Sequence, residues 1–225
     1  MEIKKEYLDQ IAKRGHLIVI SGPTGSGKHT IVREYMKDHA NACYCIQATN
    51  REPEKDETDG KDYYFLSISE FERMIRTGQM LEYSYTDNVG YGTPKKAVED
   101  ARAAGHNVLL IVDPVSAMNI RALVPDAILI FIIPASFEVL RKQLAETGRY
   151  TEEEISKNMD MAEEWIACAN VFDYILINDE IDKTVRRITQ IVHGSRYSRS
   201  SMAEFLRTYI NSELHAENKV TSGAL

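Results

Sequence analysis

The run GPTGSGK at residues 22–28, called the phosphate loop below, has the spacing of a loop that binds phosphate groups. It follows an apolar stretch from Leu17 to Ile20, and helical spacing of apolar residues from Ile31 to Met36 follows it. Glycines let the backbone wrap closely around phosphates, and a helix N-terminus directs its N–H groups at them. The sequence therefore predicts a nucleotide-handling protein, with a chance glycine-rich turn as the less favoured interpretation.

Several residues of this segment are candidates for binding a nucleotide cofactor, namely Gly22, Thr24, Gly25, Ser26, Gly27, Lys28, His29 and Thr30. Lys28 is expected to pair with the β- and γ-phosphates of ATP. The pattern expects Ser or Thr directly after the lysine, where a hydroxyl reaches Mg²⁺. Here His29 intervenes, so Thr30 is the predicted metal-side hydroxyl and His29 is more simply a solvated helix residue.

A second metal candidate, Asp113, ends the aliphatic stretch Val108 to Val112. A carboxylate at the end of a buried strand is placed to hold Mg²⁺ or its water near a transferred phosphate. Pro114 follows it and can start a helix, so the alternative is an acid at a helix N-terminus. We favour the metal role because of the phosphate loop upstream.

Composition narrows the possible partners. The chain has 225 residues, enough for one domain, and its formal net charge of -7 argues against a general nucleic-acid binder. Cys43, Cys45 and Cys168 are wrongly spaced for a zinc site and are expected to be reduced thiols. The polar N-terminus lacks the core of a secretion signal, and no apolar run is long enough to span a bilayer. We expect a cytoplasmic protein without a membrane partner.

Apolar strands alternate with helical patterns along most of the chain. The predicted strands after the first are Val108 to Val112, Ala127 to Ile133 and Tyr174 to Ile177. The predicted helices are Val115 to Leu123, Phe137 to Glu146, Glu152 to Asn170 and Ile181 to Val192. This alternation predicts an α/β protein, a three-layer P-loop NTPase fold with a central parallel sheet.

Other segments depart from that alternation. Residues 43–98 are rich in charges and tyrosines and are predicted to form an inserted substrate-binding substructure. A packing helix is expected around Tyr7, ahead of the first strand. Residues 195–201 are a predicted linker, followed by an apolar helical stripe from Met202 to Ile210. That stripe is expected to dock on the domain, with a homodimer contact as the alternative.

Several motifs, in this order, resemble the guanylate kinase family. They are GPTGSGK at 22–28, GKDYYF at 60–65, the stretch 67–82, YGTP at 91–94, the strand ending in Asp113, and FDYILIND at 172–179. The resemblance implies transfer of phosphate from ATP to GMP with Mg²⁺. The likeness runs from about Gly15 to Val192, and it implies a domain over 1–194 with an NMP-binding insert at 43–98 and a helical lid at 143–160. The residues beyond it, 195–225, are the predicted C-terminal helical tail.

The resemblance also implies roles in binding GMP. Tyr63 and Tyr91 match tyrosines that hydrogen-bond its phosphate, and Arg51 matches an arginine that grips it. Glu82 matches the carboxylate that reads guanine, and Thr93 matches a hydroxyl that contacts the base. A carboxylate accepts from the ring N–H and the amino group of guanine, whereas adenine lacks that ring N–H. Packing tyrosines and a solvated glutamate are the alternatives.

Three departures from the family pattern affect the acceptor pocket. Gln47 stands where the family usually has a serine at the phosphate site, and Glu54 stands where it has a second arginine. A carboxylate there would repel a phosphate, although Lys55 is adjacent. Ile111 replaces the first of two strand-end acids.

The lid departs further. Three family arginines that embrace the ATP phosphates align with Gln143, Thr147 and Asn158. Arg141, Arg149 and Lys157 lie one or two positions away, and Arg149, beside Gly148, is the best substitute. Lys28, Arg51 and Arg149 are therefore the predicted catalytic residues.

The altered pocket and lid keep two other functions open. One is a kinase of the same fold for another phosphorylated acceptor, such as ribose bisphosphate. The other is a catalytically weak module that binds nucleotide or a protein.

Overall fold

The computed structural model describes residues 14–86, 88–203, 205–207 and 209–210. The strands are β1 (Leu17–Ser21), β2 (Ala42–Tyr44), β3 (Ala48–Thr49), β4 (Tyr64–Phe65), β5 (Met80–Thr86), β6 (Val89–Pro94), β7 (Asn107–Ile111), β8 (Ile128–Pro134) and β9 (Tyr174–Asn178). The helices are α1 (Lys28–Asp38), α2 (Ile68–Arg76), α3 (Lys95–Ala103), α4 (Pro114–Leu123), α5 (Phe137–Glu146), α6 (Glu152–Ala167) and α7 (Ile181–Ser195).

The central sheet has five strands in the order β2-β7-β1-β8-β9. All of its neighbouring strands pair in parallel, and Ile18 of β1 lies opposite Leu109 on one side and Ile128 on the other. The carboxyl ends of these strands therefore meet at one edge of the sheet. The phosphate loop follows β1 at that edge, and Asp113 lies two residues beyond β7.

Helices cover both faces of this sheet, so the α/β, three-layer prediction is confirmed. Alternate residues of β1 enter different cores because strand side chains alternate between faces. Leu17 and Val19 pack with Ala117 and Ile120 of α4, whereas Ile18 and Ile20 pack with residues of α1 and α7. Every residue of β1 is buried.

The insert forms a second sheet with strand order β4-β3-β6-β5. Its core contains Ala48, Phe71 and Met80. The predicted boundary at residue 43 is too early, because Cys43 lies in β2 and pairs with Val108 of the central sheet. The insert begins after Tyr44, where β2 ends. Cys43, Cys45 and Cys168 are free cysteines.

Helices α5 and α6 pack around a small core of Leu140, Leu144, Ile155 and Ala162, and the predicted lid at 143–160 lies within this helix pair and its connection. The connection between them contains Gly148, whose φ is 64°. The predicted helix from Glu152 to Asn170 ends at Ala167, and a 3₁₀ turn at Ala169–Val171 follows.

The termini lie largely outside the described residues, including the predicted packing helix around Tyr7 and the end of the tail. Helix α7 continues to Ser195, three residues beyond its predicted end, and residues 199–203 are helical again. Phe205 and Tyr209 of the predicted stripe stack with ring centroids 5.7 Å apart. None of the helices in the described part of the chain is long and apolar enough to cross a membrane.

Candidate active site

Backbone geometry explains the glycines of the phosphate loop. Gly22, Gly25 and Gly27 have φ values of 138°, 88° and 88°, a region that other residues rarely adopt. A Cβ on Gly22 would lie 2.1 Å from the carbonyl oxygen of Ile132, and one on Gly27 would lie 2.5 Å from Nδ2 of Asn178. The tight loop between β1 and α1 therefore requires glycine at both positions.

Polar groups of the loop suit an anionic ligand. The side chain of Ser26 is buried, and within the described residues its Oγ has no hydrogen-bond partner. Nζ of Lys28 donates to the carbonyl oxygens of Gly22 and Pro23 at 2.6 and 2.7 Å. Burial lowers the pKa of Lys28 to about 8. The ammonium thus lies over the loop with one of its three donors left for a phosphate.

Asn178, at the end of β9, supports this loop and was not predicted as a site residue. Its Nδ2 donates to the carbonyl oxygen of Ser26 at 3.0 Å, and its Oδ1 accepts from Oγ1 of Thr184 at 3.2 Å. These bonds connect the loop to β9 and α7. The motif containing Asn178 is visible in the sequence, but its contact with the loop depends on the order of strands.

A cavity of about 710 Å³ opens in front of the loop, a size typical of small-molecule sites. The predicted site residues that line it are Thr24, Gly25, Gly27, Lys28, His29, Thr30, Asp113 and Arg149. The fold therefore brings residues from the loop, the end of β7 and the lid to one cavity.

Asp113 has a structural role that the sequence gave as the less favoured alternative. Its Oδ1 accepts from the backbone N of Ser116 at 2.9 Å, and its Oδ2 accepts from the Ser116 hydroxyl at 2.8 Å. It thus caps the N-terminus of α4. An ionised carboxylate has about four acceptor sites, so oxygen lone pairs remain. Asp113 and Thr30 line the same cavity.

The lid residues differ in where they lie. Arg149 lines the cavity together with Gln143 and Thr147. Arg141 and Lys157 instead form exposed ion pairs with glutamates of the lid, at 2.7 and 2.8 Å. Asn158 donates back to a carbonyl oxygen of its own helix at 2.8 Å. Among the substitutes considered from the sequence, Arg149 is therefore the one that lines the cavity.

The predicted base-reading residues lie side by side on the insert. Glu82 of β5 pairs with Thr93 of β6, and both are buried. Oγ1 of Thr93 donates to Oε1 of Glu82 at 2.6 Å. Burial raises the pKa of Glu82, against the lowering effect of the Thr93 bond, and nearby Asp113 raises it as well. Glu82 is thus a buried acceptor close to the cavity.

Gln47 lies with this pair, which differs from its expected place at the phosphate site. Its Nε2 is 3.5 Å from Oε1 of Glu82 and 3.5 Å from Oγ1 of Thr93. Gln47 directly precedes β3, whose partner β6 contains Thr93, and this pairing determines its position. The family pattern predicted the position of Gln47 along the chain but not which groups its side chain contacts.

The three predicted phosphate-binding residues also come together. The rings of Tyr63 and Tyr91 pack edge to face with centroids 5.8 Å apart. The guanidinium of Arg51 lies over the Tyr63 ring, 5.2 Å from its centroid. Arg51 also forms an ion pair with Glu57 at 2.6 Å, a partner that was not predicted. Glu54 is exposed nearby.

The fold and the cavity together indicate the class of protein. A parallel sheet with a phosphate loop, an inserted four-stranded sheet and a helical lid belongs to the P-loop phosphotransferase type. A family model described as guanylate kinase matches residues 14–195. The chain belongs to the guanylate kinase family.

Individual relatives agree with this assignment. The chain is 35% identical over 212 residues to a guanylate kinase of Symbiobacterium thermophilum, covering 94% of this chain and 96% of the relative. It is 38% identical over 183 residues to one of Carboxydothermus hydrogenoformans, covering 81% and 90%. A crystal structure of guanylate kinase from Anaplasma phagocytophilum matches with a TM-score of 0.69 and 26% identity, covering 88% of this chain and 97% of that one.

Proposed function

We propose that this protein transfers the γ-phosphoryl group of ATP to GMP, giving ADP and GDP. The observation that carries the proposal is the placement of two recognition groups on one insert beside the phosphate loop. Buried Glu82 supplies acceptors for a guanine, and the cluster of Arg51, Tyr63 and Tyr91 supplies donors for a phosphate. Asp113 lines the cavity and lies close enough to Glu82 to influence its pKa, which links the insert to the loop.

ATP is expected to bind with its phosphates in the loop. The positive φ values suit an anion that accepts hydrogen bonds from backbone N–H groups. The Ser26 hydroxyl, which has no hydrogen-bond partner among the residues that the structure describes, can donate to the same anion. Lys28 contributes the positive charge. Thr30 and Asp113 are the residues we propose to hold Mg²⁺, which needs few protein ligands when phosphates and waters complete its shell. The ion, when bound, neutralises charge on the phosphates.

GMP is expected to bind across the insert. The ring N–H and amino group of guanine donate to Glu82, and Thr93 both orients that carboxylate and contacts the base. Arg51, Tyr63 and Tyr91 bind the phosphate. Since phosphoryl transfer depends mainly on positioning and charge neutralisation, these contacts carry much of the catalysis. Arg149 reaches the cavity from the lid and is the proposed cation there.

The decisive experiment measures GDP formed from GMP and ATP by chromatography, for the wild type and for Lys28→Ala. Lys28→Ala removes the cation of the phosphate loop, so we expect GDP formation to fall by orders of magnitude. Lys37→Ala is the matched control, because Lys37 lies at the other end of α1 and pairs with Glu34 on the surface. If the wild type forms no GDP even when its concentration is comparable to that of GMP, the proposal is contradicted.

A second candidate, phosphorylation of a different phosphorylated acceptor, is favoured by one observation. Ile111 lines the cavity where the family usually has an acid, so the pocket offers an apolar surface there. Buried Glu82 argues against it, since a base-reading carboxylate has no task with a sugar phosphate. ADP release measured over a panel of nucleotides and sugar phosphates, ribose bisphosphate included, separates the two candidates by which acceptor has the highest kcat/KM.

A further inference from the structure

Glu57 makes an unusually complete set of contacts with Arg51, the proposed phosphate-binding arginine. Its Oε2 accepts from Nη1 of Arg51 and its Oε1 accepts from Nη2, both at 2.6 Å. Oε2 also accepts from the backbone N of Glu54 at 2.9 Å. Only 20% of each of the two paired side chains is exposed, although the residues between Glu52 and Asp56 are all exposed. The ion pair is therefore a built feature of this loop.

Two neighbouring aromatic rings also lie against the guanidinium. Its carbon lies 5.2 Å from the ring centroid of Tyr63 and 5.5 Å from that of Phe65. Hydrogen bonds to Glu57 and then to Tyr91 raise the pKa of Arg51. A long, flexible side chain is thus held at its end by a carboxylate and packed against two adjacent aromatic rings.

Glu57 and Glu52 together use three of the N–H donors of Arg51. Arginine has five N–H donors in a fixed planar arrangement. Nη1 of Arg51 donates to Glu57 and to the carbonyl oxygen of Glu52, at 2.6 and 3.0 Å, so both of its protons are used. Nη2 donates one hydrogen bond to Glu57. The hydrogen bond to Tyr91 is left to the other edge of the guanidinium, formed by Nε and the second Nη2 proton. This edge can donate two parallel bonds when a phosphate replaces the Tyr91 hydroxyl as acceptor.

We propose that Glu57 is the positioning residue of the acceptor-phosphate site: it holds one edge of Arg51 so that the opposite edge is presented, beside Tyr63 and Tyr91, to the phosphate of GMP. The inference rests on the proposed function. Glu54 stands where the family has a second arginine, so the orientation of Arg51 matters more here. The negative charge of Glu57 also opposes phosphate binding, and the proposal holds that orientation outweighs this repulsion.

The first test compares Glu57→Gln with the wild type by calorimetric titration of GMP and of guanosine, which lacks the phosphate. We expect the Kd of GMP to rise on the order of tenfold, as for loss of a partner within one hydrogen-bond network, while the Kd of guanosine stays within twofold. The KM of ATP should not change. Asp56→Asn, the same charge change at an exposed neighbouring residue, is the control and should leave both Kd values unchanged.

The second test is a double-mutant cycle with Arg51→Ala. If Glu57 acts through Arg51, Glu57→Gln has no further effect on GMP binding in that background. Tighter GMP binding by Glu57→Gln would show that the carboxylate competes with the phosphate, and an equal loss for guanosine would show a merely structural role; either result overturns the proposal. If the wild type binds no GMP, the proposed function fails as well, whereas normal wild-type binding with an unchanged variant refutes the role of Glu57 alone.

Discussion

Glu82→Gln tests the proposed base recognition most directly, because it exchanges one carboxylate oxygen for an NH₂ group at nearly constant volume. In the structure Oε1 of Glu82 already accepts from Thr93 at 2.6 Å, and the residue is 5% exposed. Guanine offers two adjacent donors on its pairing edge, its ring N–H and its amino group. A carboxylate accepts from both, whereas an amide accepts from one and opposes the other with its own N–H.

The expected loss follows from these contacts. Hydrogen bonds to charged groups contribute about 1.5–3 kcal/mol, and a buried donor left unsatisfied costs about 1–3 kcal/mol. Losing one bond and creating one such opposition gives about 2.5–6 kcal/mol, or roughly 10² to 10⁴ in kcat/KM for GMP. AMP has an acceptor next to a donor on the same edge and matches the amide of glutamine. The preference for GMP over AMP should therefore fall by more than the GMP value alone.

The assay is ADP release with GMP or AMP as acceptor at saturating ATP, and Glu99→Gln, on the exposed side of α3, is the matched control. A value of kcat/KM for GMP within threefold of the wild type would refute the assigned role of Glu82. An equal rise in the KM of ATP, measured separately with ATP varied at saturating GMP, would indicate damage beyond the base pocket. The pH dependence provides a second check, because burial raises the pKa of Glu82. As pH falls, the Kd of GMP should begin to rise at a pH above the usual titration range of a glutamate.

Three further predictions concern the loop and the lid. Arg149→Ala should lower kcat by about 10³ with little change in the Kd of GMP, as for loss of an arginine that stabilises the transition state, while Arg141→Ala stays within twofold; equal effects of the two in steady-state kinetics would exclude the special role of Arg149. Since the pKa of free Lys28 is lowered to about 8, the Kd of ADP from calorimetry should rise as pH increases above that value, with proton uptake on binding; a flat profile from pH 7 to 9 would contradict this. Gly22→Ala should destabilise the fold by about 2–5 kcal/mol in urea unfolding, because its Cβ would lie 2.1 Å from a backbone oxygen, whereas Gly78→Ala, at a φ of 66° with open space around it, should cost about 1–2 kcal/mol; similar costs would show that the loop relaxes.

The sequence predicted four of the five strands of the central sheet because these four are apolar runs, whereas β2 was assigned to the insert. The predicted start and end of each later strand lie within one residue of β7, β8 and β9. The insert was located but not resolved into strands. β3 and β4 have two residues each, and their pairing of Ala48 with Tyr64 joins segments that no local pattern connects. Short strands of this kind depend on tertiary contacts more than on propensity.

The site shows the same division. Residues inside a contiguous motif, such as Lys28 in the phosphate loop, were predicted because backbone geometry and chemistry share one segment. The metal role of Asp113 stays a prediction, and its bonds to Ser116 show that it caps a helix. Glu57 was missed because it lies in an acidic, exposed segment where a single carboxylate does not stand out. What distinguishes Glu57 from the other acids of this segment is its ion pair with Arg51. That contact depends on the path of the chain around Arg51, which the sequence alone does not predict.

The charges around the two proposed phosphate sites indicate how this chain would work despite its departures from the family pattern. Gln143 and Thr147 line the cavity as neutral groups, and Lys28 and Arg149 are the cations among the described residues that line it. At the proposed acceptor site, the charges of Arg51 and Glu57 cancel, so phosphate binding there would depend on geometry more than on net charge. A single arginine held in the correct orientation keeps two parallel hydrogen bonds for a phosphate, whereas a mobile one loses side-chain entropy each time it binds. We therefore expect weak long-range attraction of GMP, and so a KM for GMP that depends only weakly on salt concentration. Recognition of the phosphate should depend instead on the orientation of Arg51.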